Sequence, residues 1–248
     1  MTKLSVNLNK VALLRNQRTI GIPSVLRAAR IAIDAGVDGI TVHPRPDARH
    51  VRAEDVADLA RAIAARCDEG PAVEFNIEGN PFEGGWMEVV RAARPTQATL
   101  VPDSPGQSTS DHGWDFPGDV PRLRPVVAEL KALGCRVSLF ADADADRIVH
   151  ARETGADRVE LHTEPYAAAF VQGDGAFAVQ RFAEASYAAQ EHDLGVNAGH
   201  DLNLENLGPF LRRVPGVLEV SIGHALVADA LEMGLAAAVR AYGAVCRS

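Results

Sequence analysis

The sequence predicts an α/β protein of one domain, residues 1–248, in which eight parallel strands close into a (β/α)8 barrel inside eight helices. Three observations predict it. Strand candidates at 4–8, 39–42, 72–75, 97–101, 136–140, 158–161, 196–198 and 219–222 alternate strictly with helical patterns. Those patterns occupy 24–35, 53–66, 86–93, 121–133, 144–154, 176–192, 204–214 and 225–245. Units of strand, helix and parallel strand are right-handed almost without exception, and eight of them close a barrel. A phrase also recurs, in which a helix ends at Gly and the next apolar run stops on a His. Finally, Leu4-Ser-Val-Asn-Leu-Asn9 lacks the Gly-rich fingerprint of the competing fold, an open doubly wound sheet.

Taken in order, strand 1 leads through a long connection, 9–23, to the first helix, which closes at Ala35-Gly36. Strand 2 follows as Gly39-Ile-Thr-Val-His43, and strand 3 lies within Ala72-Val-Glu-Phe75. Strand 4 opens the longest connection, 102–119, which we read as a lid carrying Thr109. After strand 5, Thr154-Gly155 introduces strand 6, Arg158-Val-Glu-Leu-His162, and a third long connection, 163–175. Leu194-Gly195 precedes Val196-Asn-Ala-Gly-His200, and Pro215-Gly216 precedes Val220-Ser-Ile-Gly-His224. Gly suits the left-handed residue that closes a helix, and short apolar runs between helices read as strands buried on both faces. The three extended loops after strands 1, 4 and 6 all lie at strand C-termini, the face where barrel enzymes work.

Composition narrows the function classes. With 47% hydrophobic and 23% charged residues the chain is an ordinary globular protein, and no apolar stretch is long enough to span a membrane. A formal charge of -8 argues against a nucleic-acid partner, since phosphate backbones demand a basic face. Met1-Thr-Lys-Leu-Ser-Val6 shows no signal-peptide core. The thiols Cys67, Cys135 and Cys246 are odd in number and widely spaced, as expected of reduced cysteines in the cytoplasm.

Several residues could carry chemistry. Gly199-His200 and Gly223-His224 open the loops after strands 7 and 8, where barrels commonly bind phosphate. His224 begins a helix whose free N–H groups favour an anion, although both glycines also suit plain tight turns. In His43-Pro-Arg45-Pro-Asp-Ala-Arg49-His50, Arg45 and His50 offer fixed and switchable positive charge to a second anion. His43 sits on rigid strand, where a general base belongs; the alternative for this segment is a solvated loop. Glu74 and Glu160 are carboxylates inside apolar strands, costly unless paired or moving protons. Either could pair with an Arg; Glu74, close to a strand end, reads as functional, and His162 as positioning its neighbour Glu160. Asn7, Asn9, Lys10 and Arg18 line the mouth, with Lys10 suited to a phosphate contact or a Schiff base. Asp142-Ala-Asp144-Ala-Asp146 lacks the Gly and distal Glu of a calcium loop, so Asp142 and Asp144 read as helix caps. A zinc or manganese site from His43, Glu74, Glu160 and His200 stays open.

These segments together carry a resemblance. Val6-Asn-Leu-Asn-Lys-Val-Ala-Leu-Leu-Arg-Asn16, Gly39-Ile-Thr-Val-His-Pro-Arg45, Val137-Ser-Leu-Phe140, Val159-Glu-Leu-His-Thr163, Val196-Asn-Ala-Gly-His200 and Ile222-Gly-His-Ala225 closely resemble the pyridoxine 5′-phosphate synthase family over essentially the whole chain. The resemblance implies a (β/α)8 barrel, a homo-octamer built from dimers, without metal or organic cofactor. It implies condensation of 3-amino-2-oxopropyl phosphate with 1-deoxy-D-xylulose 5-phosphate to pyridoxine 5′-phosphate, phosphate and water, a transferase step of vitamin B6 biosynthesis. It makes His43 and Glu74 proton acceptors, His200 a proton donor and Glu160 a stabiliser of transition-state charge. Asn7, Arg18 and the Gly223-His224 backbone then hold the aminoketone phosphate. Arg45, His50 and Thr109 hold the ketose phosphate, helped by Asn9 and Lys10. Asn9-Lys10 stands where many members have Asp-His, Asp201 where Gly is common, and Asp229 where Arg is common. Lys10 keeps a cation beside a phosphate, and Asp201 retains a backbone N–H if its carboxylate turns away. The rival readings are a metal-dependent phosphosugar epimerase or aldolase barrel and a non-catalytic phosphate-ligand sensor.

Overall fold

The computed structural model describes residues 1–104, 106–107 and 109–248, and the backbone alone of residues 68 and 69. Eight parallel strands pair in sequence order, and β1 closes on β8. They are β1 (Lys3–Asn7), β2 (Gly39–Val42), β3 (Glu74–Gly79), β4 (Gln97–Leu100), β5 (Arg136–Ala141), β6 (Arg158–His162), β7 (Gly195–Gly199) and β8 (Val217–Ile222). The helices around them are α1 (Asn9–Asn16), α2 (Val25–Asp34), α3 (Ala53–Glu69), α4 (Trp86–Ala93), α5 (Val120–Ala132) and α6 (Ala145–Ile148), which runs on as a 3-10 turn to Thr154. After β6 come α7 (Glu164–Val171), α8 (Gly175–Glu191), α9 (Leu207–Arg213), α10 (His224–Met233) and α11 (Leu235–Arg247). The barrel expected from the alternation is therefore the observed fold.

Two of the long connections contain helices that periodicity did not reveal. Residues 9–23 begin with α1 and residues 163–175 with α7, each eight residues long. Pro165 stands in the first turn of α7, where a missing N–H costs nothing. The expected helix 225–245 is two helices, broken at Gly234, whose φ of 84° no helix interior accommodates. Gly36, Gly155 and Gly216 do adopt positive φ before their strands, whereas before β7 that role falls to Asp193 rather than Gly195. Asp144 caps α6, its side chain accepting from the Asp146 and Arg147 N–H groups. Asp142 does not; it accepts from the Gly113 N–H at 3.1 Å.

The main difference concerns β3. It begins at Glu74, where the expected strand nearly ends, and runs to Gly79. Phe75 and Ile77 point outward into the hydrophobic core beneath the helices. The alternate residues point into the barrel, whose interior is unusually polar. Ser5, Thr41, Asn76 and Thr99 form a buried hydrogen-bonded chain there. Below it, at the strand N-termini, Lys3, Glu74, Arg136, Arg158 and Glu219 form an ion-paired plug. The members of this chain and plug survive burial because each finds a partner, whereas the Ser138 hydroxyl, also buried in the barrel, has none.

Candidate active site

At the C-terminal rim of the barrel lies a cavity of about 1270 Å³, open mouth included. Asn7, Asn9, Lys10, His43, Arg45, His50, Glu78, Thr109, Glu160, His200, Asp201, Gly223 and His224 all border it. Of the residues expected at the site, all but Glu74 and Arg18 are thus brought together. Arg18 is exposed beyond α1 and does not border the cavity.

Glu74 is a correction. It begins β3 at the opposite end of the barrel, paired with Lys3 and Arg136. Burial raises its carboxyl, but the hydrogen bonds from Arg136 and Lys3 outweigh that and hold it below the ordinary range. It is a structural anion. The metal set of His43, Glu74, Glu160 and His200 is consequently not assembled, and among the described residues no group of three or more His, Cys, Asp or Glu is placed to hold a metal ion.

Glu78, four residues on along β3, is the carboxylate at the rim. Burial and then the nearby Glu160, Asp103 and Glu219 push its carboxyl well above the ordinary range. Its Oε2 accepts a 3.3 Å hydrogen bond from Asn7 Nδ2 and lies 3.8 Å from His43 Nδ1. The signal that marks it in the sequence is period two: Glu74, Asn76 and Glu78 alternate with Phe75 and Ile77 up to Gly79. Asp103, just past β4, is another buried acid near the rim; its Oδ2 lies 3.7 Å from His43 Nε2.

His43 extends directly from β2. Its N–H donates to Asn9 Oδ1 at 2.9 Å, and the Asn9 N–H donates to Asn7 Oδ1 at 2.9 Å, so the start of α1 fixes the end of β2. Burial, then Arg45, His50 and Arg49, push its imidazole well below the usual histidine range. His43 is therefore a neutral base at pH 7. His50 is neutral too, lowered to about 4 by burial, Arg45 and Lys10. The switchable charge expected of His50 is absent near neutrality. Its Nδ1 accepts from the Val51 N–H at 2.9 Å, which leaves the proton on Nε2 as a donor.

Across the cavity, Glu160 is buried on β6 and raised to about 8 by burial and Glu219. Gly199 lets it fit: a Cβ there would stand 2.9 Å from Glu160 Oε1. His200 follows with a φ of 90° and Asp201 with 59°, conformations rarely adopted outside glycine. Thr163 Oγ1 anchors the turn, sharing its one hydroxyl proton between the Gly199 and His200 carbonyls, each 2.6 Å away. His200 Nε2 is 2.7 Å from Thr109 Oγ1, and its Nδ1 is 3.3 Å from Asp201 Oδ2. The Asp201 carboxylate is thus turned toward an imidazole. His162 packs edge-on to His200 with ring centroids 5.4 Å apart and faces Asp142, not Glu160, at 3.5 Å. Gly223 caps α10 against the Asn7 side chain, leaving the first N–H groups of a ten-residue helix at the cavity. Asp229 lies apart, accepting from the buried Tyr242 hydroxyl at 2.7 Å. Residues 105 and 108 of the expected lid lie outside the described residues.

Comparison with known proteins adds an independent line. Residues 4–248 match the family described as Pyridoxal phosphate biosynthesis protein PdxJ. A Pyridoxine 5'-phosphate synthase of Albidiferax ferrireducens is 58% identical over 246 residues, covering 97% of this chain and 96% of the relative. One of Xanthomonas oryzae pv. oryzae is 56% identical over 252 residues, covering 99% and 97%. Among solved structures, a tryptophan synthase from M. tuberculosis is similar with a TM-score of 0.66 at 13% identity, covering 100% of this chain and 94% of that one. Phosphoribosyl anthranilate isomerase from Thermotoga maritima gives 0.58 at 12%, covering 100% and 99%. At such identities the likeness is one of fold.

Proposed function

The chain belongs to the Pyridoxal phosphate biosynthesis protein PdxJ family, and from that premise we propose that it is a pyridoxine 5′-phosphate synthase. It condenses 3-amino-2-oxopropyl phosphate with 1-deoxy-D-xylulose 5-phosphate, releasing phosphate and water. The observation that carries the reading is one rim cavity bordered by four titratable groups, His43, Glu78, Glu160 and His200, with anion-binding elements on two sides. Arg45 and the Nε2–H of His50 serve the ketose phosphate, with Thr109 and Lys10 beside them. The α10 N-terminus and Asn7 serve the aminoketone phosphate. Holding both substrates offsets the entropy of assembling them.

The amine attacks the ketone and water leaves to give an imine. Proton removals, loss of phosphate, ring closure and a last dehydration then build the aromatic ring. His43, uncharged at neutral pH, accepts the first protons. Glu78, with its raised carboxyl, accepts others in the role expected of Glu74, and His200 donates to the leaving oxygens. Glu160, its raised carboxyl largely protonated at neutral pH, stabilises transition-state charge by donating a hydrogen bond to it. Three free cysteines support a reducing, cytosolic compartment. Family likeness supports a homo-octamer built as a tetramer of dimers, which sedimentation tests. No described helix is long and apolar enough to cross a membrane.

Incubating the purified chain with both substrates after exhaustive chelation tests the activity. We expect pyridoxine 5′-phosphate and inorganic phosphate in equal amounts; no ring product overturns the proposal. His43→Ala is expected to lower turnover by roughly 10²–10⁴-fold while the melting temperature holds.

A further inference from the structure

Asp103 does not border the catalytic cavity. It borders a smaller one, about 330 Å³, on the far side of His43 and Arg45. Its carboxylate is buried, and a single oxygen, Oδ2, serves three groups. That oxygen pairs with the Arg45 guanidinium, accepts a 3.0 Å hydrogen bond from Ser110 Oγ and stands 3.7 Å from His43 Nε2. The Asp103 carbonyl accepts from Asn80 Nδ2 at 2.9 Å, which ties the end of β4 to the end of β3. Arg45 also donates from Nη1 to the Gln107 carbonyl at 2.5 Å, so its head is held from two directions. Each ring nitrogen of His43 therefore faces a different carboxylate, Glu78 on one side and Asp103 on the other. The remaining titratable groups around the ring are Arg45, Asp47, Arg49 and the neutral His50, all from the loop after β2.

We propose that Asp103 is a positioning residue joining the two halves of the site: it aims Arg45 at the ketose phosphate and holds His43 from behind once the ring has taken a proton from substrate. Asp103 itself receives no proton. It touches neither substrate, because His43 and Arg45 stand between it and the catalytic cavity. This rests on the reading of His43 as the proton acceptor. The arrangement explains why a buried acid lies beside a base: the imidazolium formed during turnover finds its counter-charge already in place, with no reorganisation.

The test uses Asp103→Asn and Asp103→Glu in the full chain, assayed with both substrates across pH. In Asp103→Asn we expect kcat to fall about 10- to 100-fold. KM for 1-deoxy-D-xylulose 5-phosphate should rise while KM for 3-amino-2-oxopropyl phosphate stays within about twofold. Removing an anion beside an imidazole makes it easier to deprotonate, so the acid limb of kcat/KM moves to lower pH. Glu78 also feels the Asp103 charge and moves the same way, so the nitrogen-15 titration of His43 assigns the shift. Asp103→Glu, which keeps the charge, is expected to keep the limb and raise only the ketose-phosphate KM. An unmoved limb in a folded Asp103→Asn, or both KM values rising together, overturns the proposal. If Asp103→Asn does not fold, an unchanged ketose-phosphate KM in Asp103→Glu overturns it. An inactive parent chain overturns the synthase reading and this proposal with it, whereas an active parent indifferent to Asp103→Asn overturns only the latter.

Discussion

Surroundings that keep the His43 ring uncharged suit it to the proposed role of base, and burial, by raising the Glu78 carboxyl, makes its carboxylate a stronger proton acceptor than an exposed one. The strained φ of His200 belongs to the same logic. A residue held in such a conformation costs roughly 1–3 kcal/mol, and Thr163 supplies the hydrogen bonds that hold it. Glu74 and Glu78 give the sharpest comparison at this scale. Glu78→Gln is expected to lower ring formation by about 10²–10⁴-fold with the fold intact. Glu74→Gln is expected to leave kcat nearly unchanged and to destabilise by roughly 1–3 kcal/mol, between an exposed ion pair and a fully buried one. Urea unfolding and steady-state kinetics on the two variants measure both. The sequence made Glu74 look catalytic because a carboxylate inside an apolar run stood near the expected end of its strand, where β3 in fact begins. Lys3 and Arg136 come from other strands, and no local spacing reveals them. His43, His200 and Glu160, each at or near the end of a recognisable strand, were legible, as were the two Gly-His turns.

Strand β3 delivers its acid to the rim only because its last residue is glycine. A Cβ on Gly79 would stand 2.2 Å from the Trp86 indole nitrogen, which donates to the Glu78 carbonyl at 2.7 Å. Gly79→Ala must push that indole aside and with it the Glu78 backbone. We expect a loss of about 1–3 kcal/mol from overpacking, read by thermal melting, together with a fall in kcat rather than a rise in either KM. Elements differed in how plainly the sequence announced them. Strand β2, Gly39–Val42, an uncharged run between turns, was bounded correctly. Strand β3 was not, because its lumen face carries the two carboxylates Glu74 and Glu78 while an apolar run was sought. Helices α1 and α7 were read as loops, being short and set inside stretches rich in functional residues. Strict alternation of eight units, by contrast, sufficed for the barrel.

For the whole molecule, the polar lumen ties stability to pH. Glu160 titrates near 8 in the folded protein and near 4.5 when unfolded. Its ionisation therefore favours the unfolded chain between those values, and this contribution to stability, full below pH 4.5, is lost as pH rises toward 8. Glu160→Gln removes the dependence. Its advantage over the parent in urea unfolding is expected to be small at pH 5 and to widen to on the order of a few kcal/mol at pH 8. A constant difference across that range argues against a buried, ionisable Glu160. His50, lowered to about 4, acts in the opposite sense: its contribution is present above the usual histidine value and fades as pH falls through 6.5 toward 4.

Pairing of β1 with β8 also sets a timetable. During synthesis the earliest strand must wait for the latest one before its free edge is satisfied, and the contacts that finish the ring span nearly the entire chain. His43 and Glu78 come from the first half, Glu160 and His200 from the second. If these four residues carry the chemistry as proposed, the site is whole only once both halves of the ring have met.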